Sequence, residues 1–183
     1  MNNGFRTDKK IGVLGGGQLG RMLQQKALSL GLDLAFIDPD KNAPCKDVSS
    51  RFFKGDLKDY DTVYAFGKGR DIITIEIEHV NVEALAQLEK EGVKVFPQPS
   101  VIKIVQDKGL QKQFYKDNNI PSAEFFLIGG SDEVILFEDS FPLMQKMRKG
   151  GYDGKGVTPM RSKEDLPNAF NEPSVLEKMV DFE

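Results

Sequence analysis

The apolar and polar positions at the start of the chain predict a strand, a tight turn and a helix. Residues 10–15, KIGVLG, form an aliphatic run that ends in glycine, which is typical of a short buried strand. In residues 18–31, QLGRMLQQKALSLG, apolar residues return every three or four positions and the segment ends at Gly31. That spacing predicts one face of an amphipathic helix.

Strands and helices continue to alternate as far as Pro97. Apolar runs that end in acidic residues or proline predict further strands at 32–40, 71–80 and 93–97, and residues 82–92, VEALAQLEKEG, have helical spacing. Strands that alternate with helices form a parallel sheet covered on both faces. The first part of the chain is therefore predicted to be a Rossmann-like α/β domain.

The pattern changes after Pro97. Residues 99–119 predict a broken helix. Four strand-like runs follow, separated by clusters of Gly, Ser and Pro, and they read AEFFLI, FPLMQKMR, GVTPMR and SVLEKMV. This order of elements predicts a small α+β lobe.

Composition and charge narrow the class of protein. The chain has 183 residues, 39% of them hydrophobic, enough for one core or two small ones. Its net charge of −3 gives no basic excess for a nucleic-acid partner. No apolar run suits a membrane span, residues 1–9 lack the apolar centre of a signal peptide, and Cys45 is the only cysteine. We expect a cytoplasmic protein with a disordered leader at 1–9.

The first glycine loop predicts a phosphate site. Gly15, Gly17 and Gly20 fit G-x-G-x-x-G between a strand and a helix, where backbone N–H groups point at an anion. A dinucleotide is one possible ligand, because Asp38 ends the next strand where a ribose-binding acid would lie. A Walker A loop is excluded, since Arg21 follows where that motif has lysine. Close packing of strand and helix is the purely structural alternative.

A second glycine loop lies at residues 146–157, KMRKGGYDGKGV, between two strand-like runs. Four glycines within seven residues exceed what a surface turn needs, and four cations surround them. A mobile hairpin that closes over a triphosphate fits this composition, and a basic surface loop is the alternative. Lys146 is either an outward-facing strand lysine or a cation aimed at phosphate.

Five motifs in order carry a family resemblance. They are GGGQLGRM, IEIEHV, QDKGLQKQF, MQKMRKGGYDGKG and VLEKMV. Together they resemble the ATP-grasp ligases of purine biosynthesis that carboxylate 5-aminoimidazole ribonucleotide. The resemblance implies a pre-ATP-grasp Rossmann-like domain at 10–100. Linker helices and the small α+β lobe of an ATP-grasp domain would follow at 101–183.

The resemblance also implies an activity. Such a ligase uses ATP, bicarbonate and magnesium to convert 5-aminoimidazole ribonucleotide to its N-carboxy derivative, with ADP and phosphate as the other products. Magnesium ligands are expected beyond residue 183, so the chain is interpreted as an N-terminal piece that is inactive alone and belongs to a homodimer when full length. A related ligase with another acyl donor, an NAD-dependent oxidoreductase and a non-catalytic nucleotide-binding module remain the alternatives.

The resemblance assigns residues to two sites and implies no covalent protein nucleophile. The ribonucleotide positions are Gly15, Gly17, Gln18, Leu19 and Glu76. The ATP positions are Lys108, Lys146, Gly151, Tyr152, Asp153, Gly154, Lys155, Gly156, Val157, Glu177, Lys178, Met179 and Val180.

One ATP position departs from the family's pattern. Lys108 stands where many relatives have arginine, and it offers a point charge in place of a bidentate fork. Its spacing relative to Lys112 and Lys116 is, by itself, that of a solvated helical stripe.

Overall fold

The computed structural model describes residues 8–151 and 154–181. The chain divides into two compact units between Lys103 and Ile104. Most of the expected leader, residues 1–7, lies outside the described residues, whereas Lys9 forms an ion pair of 3.0 Å with Asp71. The predicted domain boundary at residue 100 stays a prediction.

The first unit is built on a five-stranded parallel sheet. Its strands are β1 (Ile11–Leu14), β2 (Ala35–Asp38), β3 (Phe52–Lys54), β4 (Ile72–Ile75) and β5 (Lys94–Phe96). Its helices are α1 (Gln18–Ser29), α2 (Tyr60–Gly67) and α3 (Val82–Lys90), with a 3₁₀ helix at Pro44–Asp47. The strand order is β3-β2-β1-β4-β5, so the predicted Rossmann-like sheet is confirmed.

The strand order reverses at β1, which pairs with β2 on one side and β4 on the other. Leu14 lies opposite Ile75 in the register of β1 and β4. The residues that follow these two strands therefore emerge side by side. Ligands of open parallel sheets bind outside the carboxyl ends of strands at such a reversal.

Successive residues of β1 point to opposite faces of the sheet and enter different cores. Val13 belongs to a cluster with Phe36 and Cys45, whereas Leu14 belongs to a larger cluster with Leu85 and other aliphatic residues. All five are fully buried. Because both faces of the sheet are covered, the inner strands are rich in aliphatic residues on both sides, which explains why the sequence pattern identified β1, β2 and β4.

The second unit is an antiparallel sheet in the order β6-β9-β7-β8. Its strands are β6 (Phe125–Ile128), β7 (Leu143–Met147), β8 (Val157–Met160) and β9 (Ser174–Lys178), and 3₁₀ helices lie at Ser131–Ser140 and Lys163–Asn168. Its core includes Leu143, Met160 and Leu176. The predicted α+β lobe is confirmed.

The predicted broken helix is two helices, α4 (Pro99–Val105) and α5 (Lys108–Asp117). Asp107 separates them and caps α5, because its Oδ1 accepts hydrogen bonds from the N–H groups of Gly109 (2.8 Å) and Leu110 (3.2 Å). Among the described residues, no helix has the length and apolar character needed to cross a membrane.

Helices α2 and α3 approach each other closely at Gly67. A Cβ added there would lie 2.2 Å from Cδ1 of Leu88, which is fully buried. We predict that Gly67→Ala lowers the free energy of unfolding by about 1–3 kcal/mol through overpacking. Urea unfolding measures this. In a Leu88→Ala background the added methyl group should cost less, and strictly additive free energies would contradict the contact.

Candidate functional site

The first glycine loop is anchored at the carboxyl end of β1 by two hydrogen bonds that its backbone N–H groups donate. Gly15 has φ of +102°, a conformation that favours glycine, and its N–H donates to the carbonyl oxygen of Ile37 at 2.9 Å. The N–H of Gly16 donates to Asp38 Oδ2 at 2.7 Å. The loop is therefore held on the neighbouring strand before the helix begins.

Helix α1 begins directly after this loop with its first turn open. Gly17 is the N-cap and has no side chain to accept a hydrogen bond from the first turn. Gln18 and Leu19 form the first turn and are exposed. The free N–H groups and the helix dipole together favour an anion at this end.

Glu76 lies beside the loop because it directly follows β4. Its N–H donates to the carbonyl oxygen of Leu14 at 2.7 Å. A Cβ added to Gly15 would lie 2.6 Å from Glu76 Oε2, and one added to Gly17 would lie 3.0 Å from Oε1. The glycines thus leave room for a carboxylate next to the anion site. A ligand that fits here carries an anion and, close to it, a hydrogen-bond donor.

Asp38 has a role that the sequence pattern did not reveal. Its Oδ2 accepts from Gly16, and its Oδ1 accepts from the N–H of Asp40 at 2.8 Å. Both carboxylate oxygens therefore accept hydrogen bonds from backbone N–H groups, whereas the dinucleotide hypothesis needs this carboxylate to bind a ribose. The geometry does not favour that hypothesis.

Cys45 packs under the same loop. Its N–H donates to the carbonyl oxygen of Gly16 at 2.9 Å, and a Cβ added to Gly20 would lie 3.0 Å from its Sγ. Burial, with the nearby Glu76 and Asp38 carboxylates, raises the pKa of the thiol to about 11. It is therefore protonated and unreactive at neutral pH. A single cysteine gave no sequence signal for this packing role.

The second glycine loop connects β7 and β8, as predicted. Lys146 lies opposite Val157 in the antiparallel register, and the N–H of Met147 donates to the carbonyl oxygen of Gly156 at 2.9 Å. The φ values of Gly150, Gly154 and Gly156 are +79°, +80° and +70°. The turn thus requires glycine at these three positions.

The predicted ATP positions divide into three groups. Lys146, Val157 and residues 177–180 converge on one cavity in the second unit. Lys108 reaches the base of the hairpin, where its Nζ donates to the carbonyl oxygen of Gly151 at 3.2 Å. Gly154, Lys155 and Gly156 lie on the hairpin itself, and Tyr152 and Asp153 lie outside the described residues.

The cavity has a volume of about 260 Å³. It is lined by Met144, Lys146, Val157, Glu177, Lys178, Met179 and Val180. Met144 was not predicted, although it lies two positions before Lys146 on β7 and therefore on the same face. A cavity with apolar walls and a lysine suits a base together with phosphate.

Glu177 brings two cations together within this unit. Its Oε2 pairs with Lys146 and its Oε1 pairs with Lys112. Burial opposes ionisation of Glu177, but the hydrogen bonds and charges of the two lysines outweigh it and lower the pKa of the carboxyl. The solvated-stripe interpretation is wrong for Lys112, whose side chain is only 13% exposed.

Asp107 and Arg148 form a clamp at the base of the hairpin that the sequence pattern did not indicate. The guanidinium donates to both carboxylate oxygens, with Nε–Oδ1 of 2.8 Å and Nη2–Oδ2 of 2.9 Å. Burial opposes ionisation of Asp107, yet Arg148 and the backbone donors of Leu110 and Gly109 lower its pKa. The hydrogen bond to Asp107 in turn raises the pKa of Arg148.

These features define a class of protein. A glycine loop lies at the reversal of a parallel sheet, and a glycine-rich hairpin with a lysine-lined cavity lies in a following antiparallel sheet; together they indicate the ATP-grasp type of nucleotide-binding protein. Residues 8–106 match the family model described as the ribonucleotide synthetase preATP-grasp domain, and residues 113–183 match the ATP-grasp domain. The chain belongs to this family of ATP-grasp proteins, as the motifs predicted.

Individual relatives agree with this assignment. The chain is 37% identical over 161 residues to phosphoribosylaminoimidazole carboxylase, chloroplastic, of Vigna aconitifolia. The matched region covers 88% of this chain and 29% of that protein. Carboxyaminoimidazole ribonucleotide synthase of Aspergillus clavatus complexed with ATP is 33% identical, with a TM-score of 0.89 over 97% of this chain and 48% of that one. The Aspergillus clavatus synthase in complex with ADP and 5-aminoimidazole ribonucleotide is 31% identical, with a TM-score of 0.86 and the same two coverages. This chain therefore spans about half of those solved chains, and less of the plant protein.

The Asp107 clamp should give stability that acid removes. The pKa of the Asp107 carboxyl is lower in the folded chain than in the unfolded chain. The stabilisation is therefore complete above the unfolded pKa of about 3.9 and is lost as pH falls through the folded pKa. We predict that Asp107→Asn costs about 1–3 kcal/mol at pH 7 and makes acid unfolding less steep. Unfolding curves from pH 7 to 2 measure both effects.

Asp117→Asn is the matched control, since it removes an acid at the exposed end of the same helix. It should change the free energy of unfolding by no more than about 0.5 kcal/mol. Equal acid sensitivity of wild type and Asp107→Asn would contradict the contribution of the clamp.

Proposed function

We propose that the complete protein is an ATP-dependent ligase that carboxylates 5-aminoimidazole ribonucleotide with bicarbonate. The products are N5-carboxyaminoimidazole ribonucleotide, ADP and phosphate. The observation that carries the proposal is the convergence of six predicted ATP positions on one cavity of the antiparallel sheet. Two facts support it: the family assignment, and the related Aspergillus clavatus synthase complexed with ADP and 5-aminoimidazole ribonucleotide.

The first glycine loop supports the substrate half of the proposal. The open first turn of α1 offers backbone N–H groups to a phosphate, and Gln18 and Leu19 contribute them. Beside it the Glu76 carboxylate can accept a hydrogen bond from an amine or a hydroxyl. A ribonucleotide with an amino group on its base carries both kinds of group, which a simple phosphate does not.

The cavity supports the ATP half of the proposal. Met144, Met179 and Val180 supply apolar walls for a base, and Lys146 supplies a cation for phosphate. The hairpin that follows Lys146 begins at this cavity and carries Gly154, Lys155 and Gly156. Binding and charge neutralisation are the main contributions that a protein makes to phosphoryl transfer.

Three parts of the proposal, namely magnesium, bicarbonate and the homodimer, rest on the family alone. Within residues 8–151 and 154–181, no group of three or more His, Cys, Asp or Glu side chains could hold a metal ion. Magnesium is therefore assigned to none of these residues. Bicarbonate as the acyl donor, the homodimer and the cytoplasmic location stay predictions.

The experiment that tests this function is an ATPase assay on the complete gene product. ADP release should require both 5-aminoimidazole ribonucleotide and bicarbonate. Release that depends on the ribonucleotide with formate in place of bicarbonate would identify a related ligase with another donor. Nucleotide binding without turnover under any of these conditions would leave only a nucleotide-binding module.

Lys146 should contribute directly to ATP affinity. Its ammonium starts from a strand, so it is better positioned than the cations of the hairpin, and a charge-assisted hydrogen bond contributes about 1.5–3 kcal/mol. We predict that Lys146→Met in the complete protein weakens ATP binding at least about tenfold with the fold intact. Calorimetric titration measures it, and Lys149→Met serves as a control for loss of one nearby charge. Normal ATP affinity in the Lys146 variant would contradict its role.

Gly17 should matter for the ribonucleotide and not for ATP. A larger side chain there meets Glu76 Oε1, because an added Cβ already lies 3.0 Å from it, and it crowds the open turn of α1. We predict that Gly17→Val weakens ribonucleotide binding about tenfold or more and leaves ATP affinity unchanged. Titration with each ligand separates the two outcomes. A folded variant with unchanged ribonucleotide affinity would place the phosphate elsewhere.

A further inference from the structure

A cluster of three charged side chains lies inside the second unit. Glu177 uses both carboxylate oxygens, one for Lys112 and the other for Lys146. The side chains of Glu177 and Lys112 are 11% and 13% exposed, whereas that of Lys146 is 33% exposed. The two lysines therefore differ: Lys146 faces the cavity, and Lys112 is enclosed.

The three residues come from three different elements. Glu177 lies on β9 opposite Met144 of β7, so its side chain is on the same sheet face as Lys146. Lys112 lies on α5, and its Nζ also donates to Ser122 Oγ at 2.6 Å. Lys112 is not among the residues that line the 260 Å³ cavity. The contact that links Lys112 to the cavity is therefore its ion pair with Glu177, which does line the cavity.

The sharing of Glu177 between two lysines shows what that effect is. Each carboxylate oxygen accepts from a different ammonium group, so Glu177 offsets only part of the Lys146 charge and leaves the rest for an incoming phosphate. Without Lys112, both oxygens would be left to Lys146 alone, and the two residues would form a neutral pair. A largely buried ion pair has weak attraction for a third charge, and removing one partner of such a cluster leaves the remaining charges poorly compensated.

We propose that Lys112 is a positioning residue of the nucleotide site. Lys112 pairs with one carboxylate oxygen of Glu177. The other oxygen then fixes the Lys146 ammonium at the cavity wall without cancelling the charge of Lys146. This inference rests on the proposed binding of ATP, and it adds a residue outside the cavity to the determinants of ATP affinity. Lys116, one turn further along α5, is exposed and forms no ion pair with Glu177, so it has no such role.

The test is a double-mutant cycle in the complete gene product, with ATP titrated by calorimetry. Lys112→Met should weaken ATP binding about tenfold in the wild-type background. In a Glu177→Gln background the same substitution should change ATP affinity less than about twofold, because no carboxylate is left to neutralise Lys146. Lys112→Arg should restore most of the affinity, and Lys116→Met is the matched control with the same change in charge.

The outcomes distinguish this inference from others. Loss of ATP affinity of equal size in both backgrounds would mean that Lys112 acts on ATP directly or on the fold, and would overturn it. If Lys112→Met does not fold alone, the comparison of Glu177→Gln with the double variant still tests the prediction of no effect. Equal ATP affinity of wild type and Lys112→Met contradicts only the role of Lys112. A wild-type protein that binds no ATP contradicts the proposed function as well.

Discussion

A buried carboxylate needs compensating charge, and in the second unit Glu177 imposes this requirement on three elements. Strand β9 supplies the acid, while β7 and α5 supply the cations Lys146 and Lys112. Helix α5 is tied to the same sheet a second time, since Asp107 at its start pairs with Arg148 at the end of β7. Two ion-paired clusters therefore hold the helix, the strand and the base of the hairpin in one geometry. The cavity depends on that geometry because Lys146 belongs to β7, and Glu177 and Lys178 belong to β9.

Glycine serves two different purposes in the two loops. At the end of β1, Gly17 has φ of −70°, so its backbone would accept other residues, and what it provides is space for the Glu76 carboxylate. In the hairpin, Gly150 and Gly154 have positive φ, and no atom of the described residues lies within 4 Å of an added Cβ, so what they provide is conformation. Spacing alone identified both loops. The spacing could not show whether a glycine leaves room for a neighbouring side chain or adopts a backbone conformation that other residues avoid, because that difference depends on neighbours distant in sequence.

The sequence predicted the parts of the fold that have a strong local pattern. Strands β1, β2, β4 and β5 carry aliphatic runs, and α1 and α3 carry helical spacing. Strand β3, Phe52–Lys54, contains no aliphatic residue, so it lacks the kind of run that identified the other strands. Helix α2 was also not predicted, although Asp59 caps it by accepting from the N–H of Thr62 at 2.8 Å, and an acid before YDTVYAFG was the available signal.

In the candidate site, too, the sequence predicted local features and missed contacts between residues distant in sequence. Glu76 was identified because a strand end is a local feature, and the hairpin was identified from its glycines. The pair between Lys112 and Glu177 joins residues 65 positions apart, and that between Asp107 and Arg148 joins residues 41 positions apart. No local pattern encodes such contacts. Because Lys112 has ordinary helical spacing, the sequence alone predicted a solvated side chain. In the fold this side chain is largely buried.

The enclosure of Cys45 makes it a natural reporter of the first loop. It is the only cysteine in the chain, it is fully buried, and its N–H is bonded to Gly16. A maleimide or an oxidant can reach the thiol only when the loop, α1 and the 3₁₀ helix at Pro44–Asp47 separate. The rate at which this sulfur is alkylated therefore measures how often the first glycine loop opens, without any probe having to be introduced.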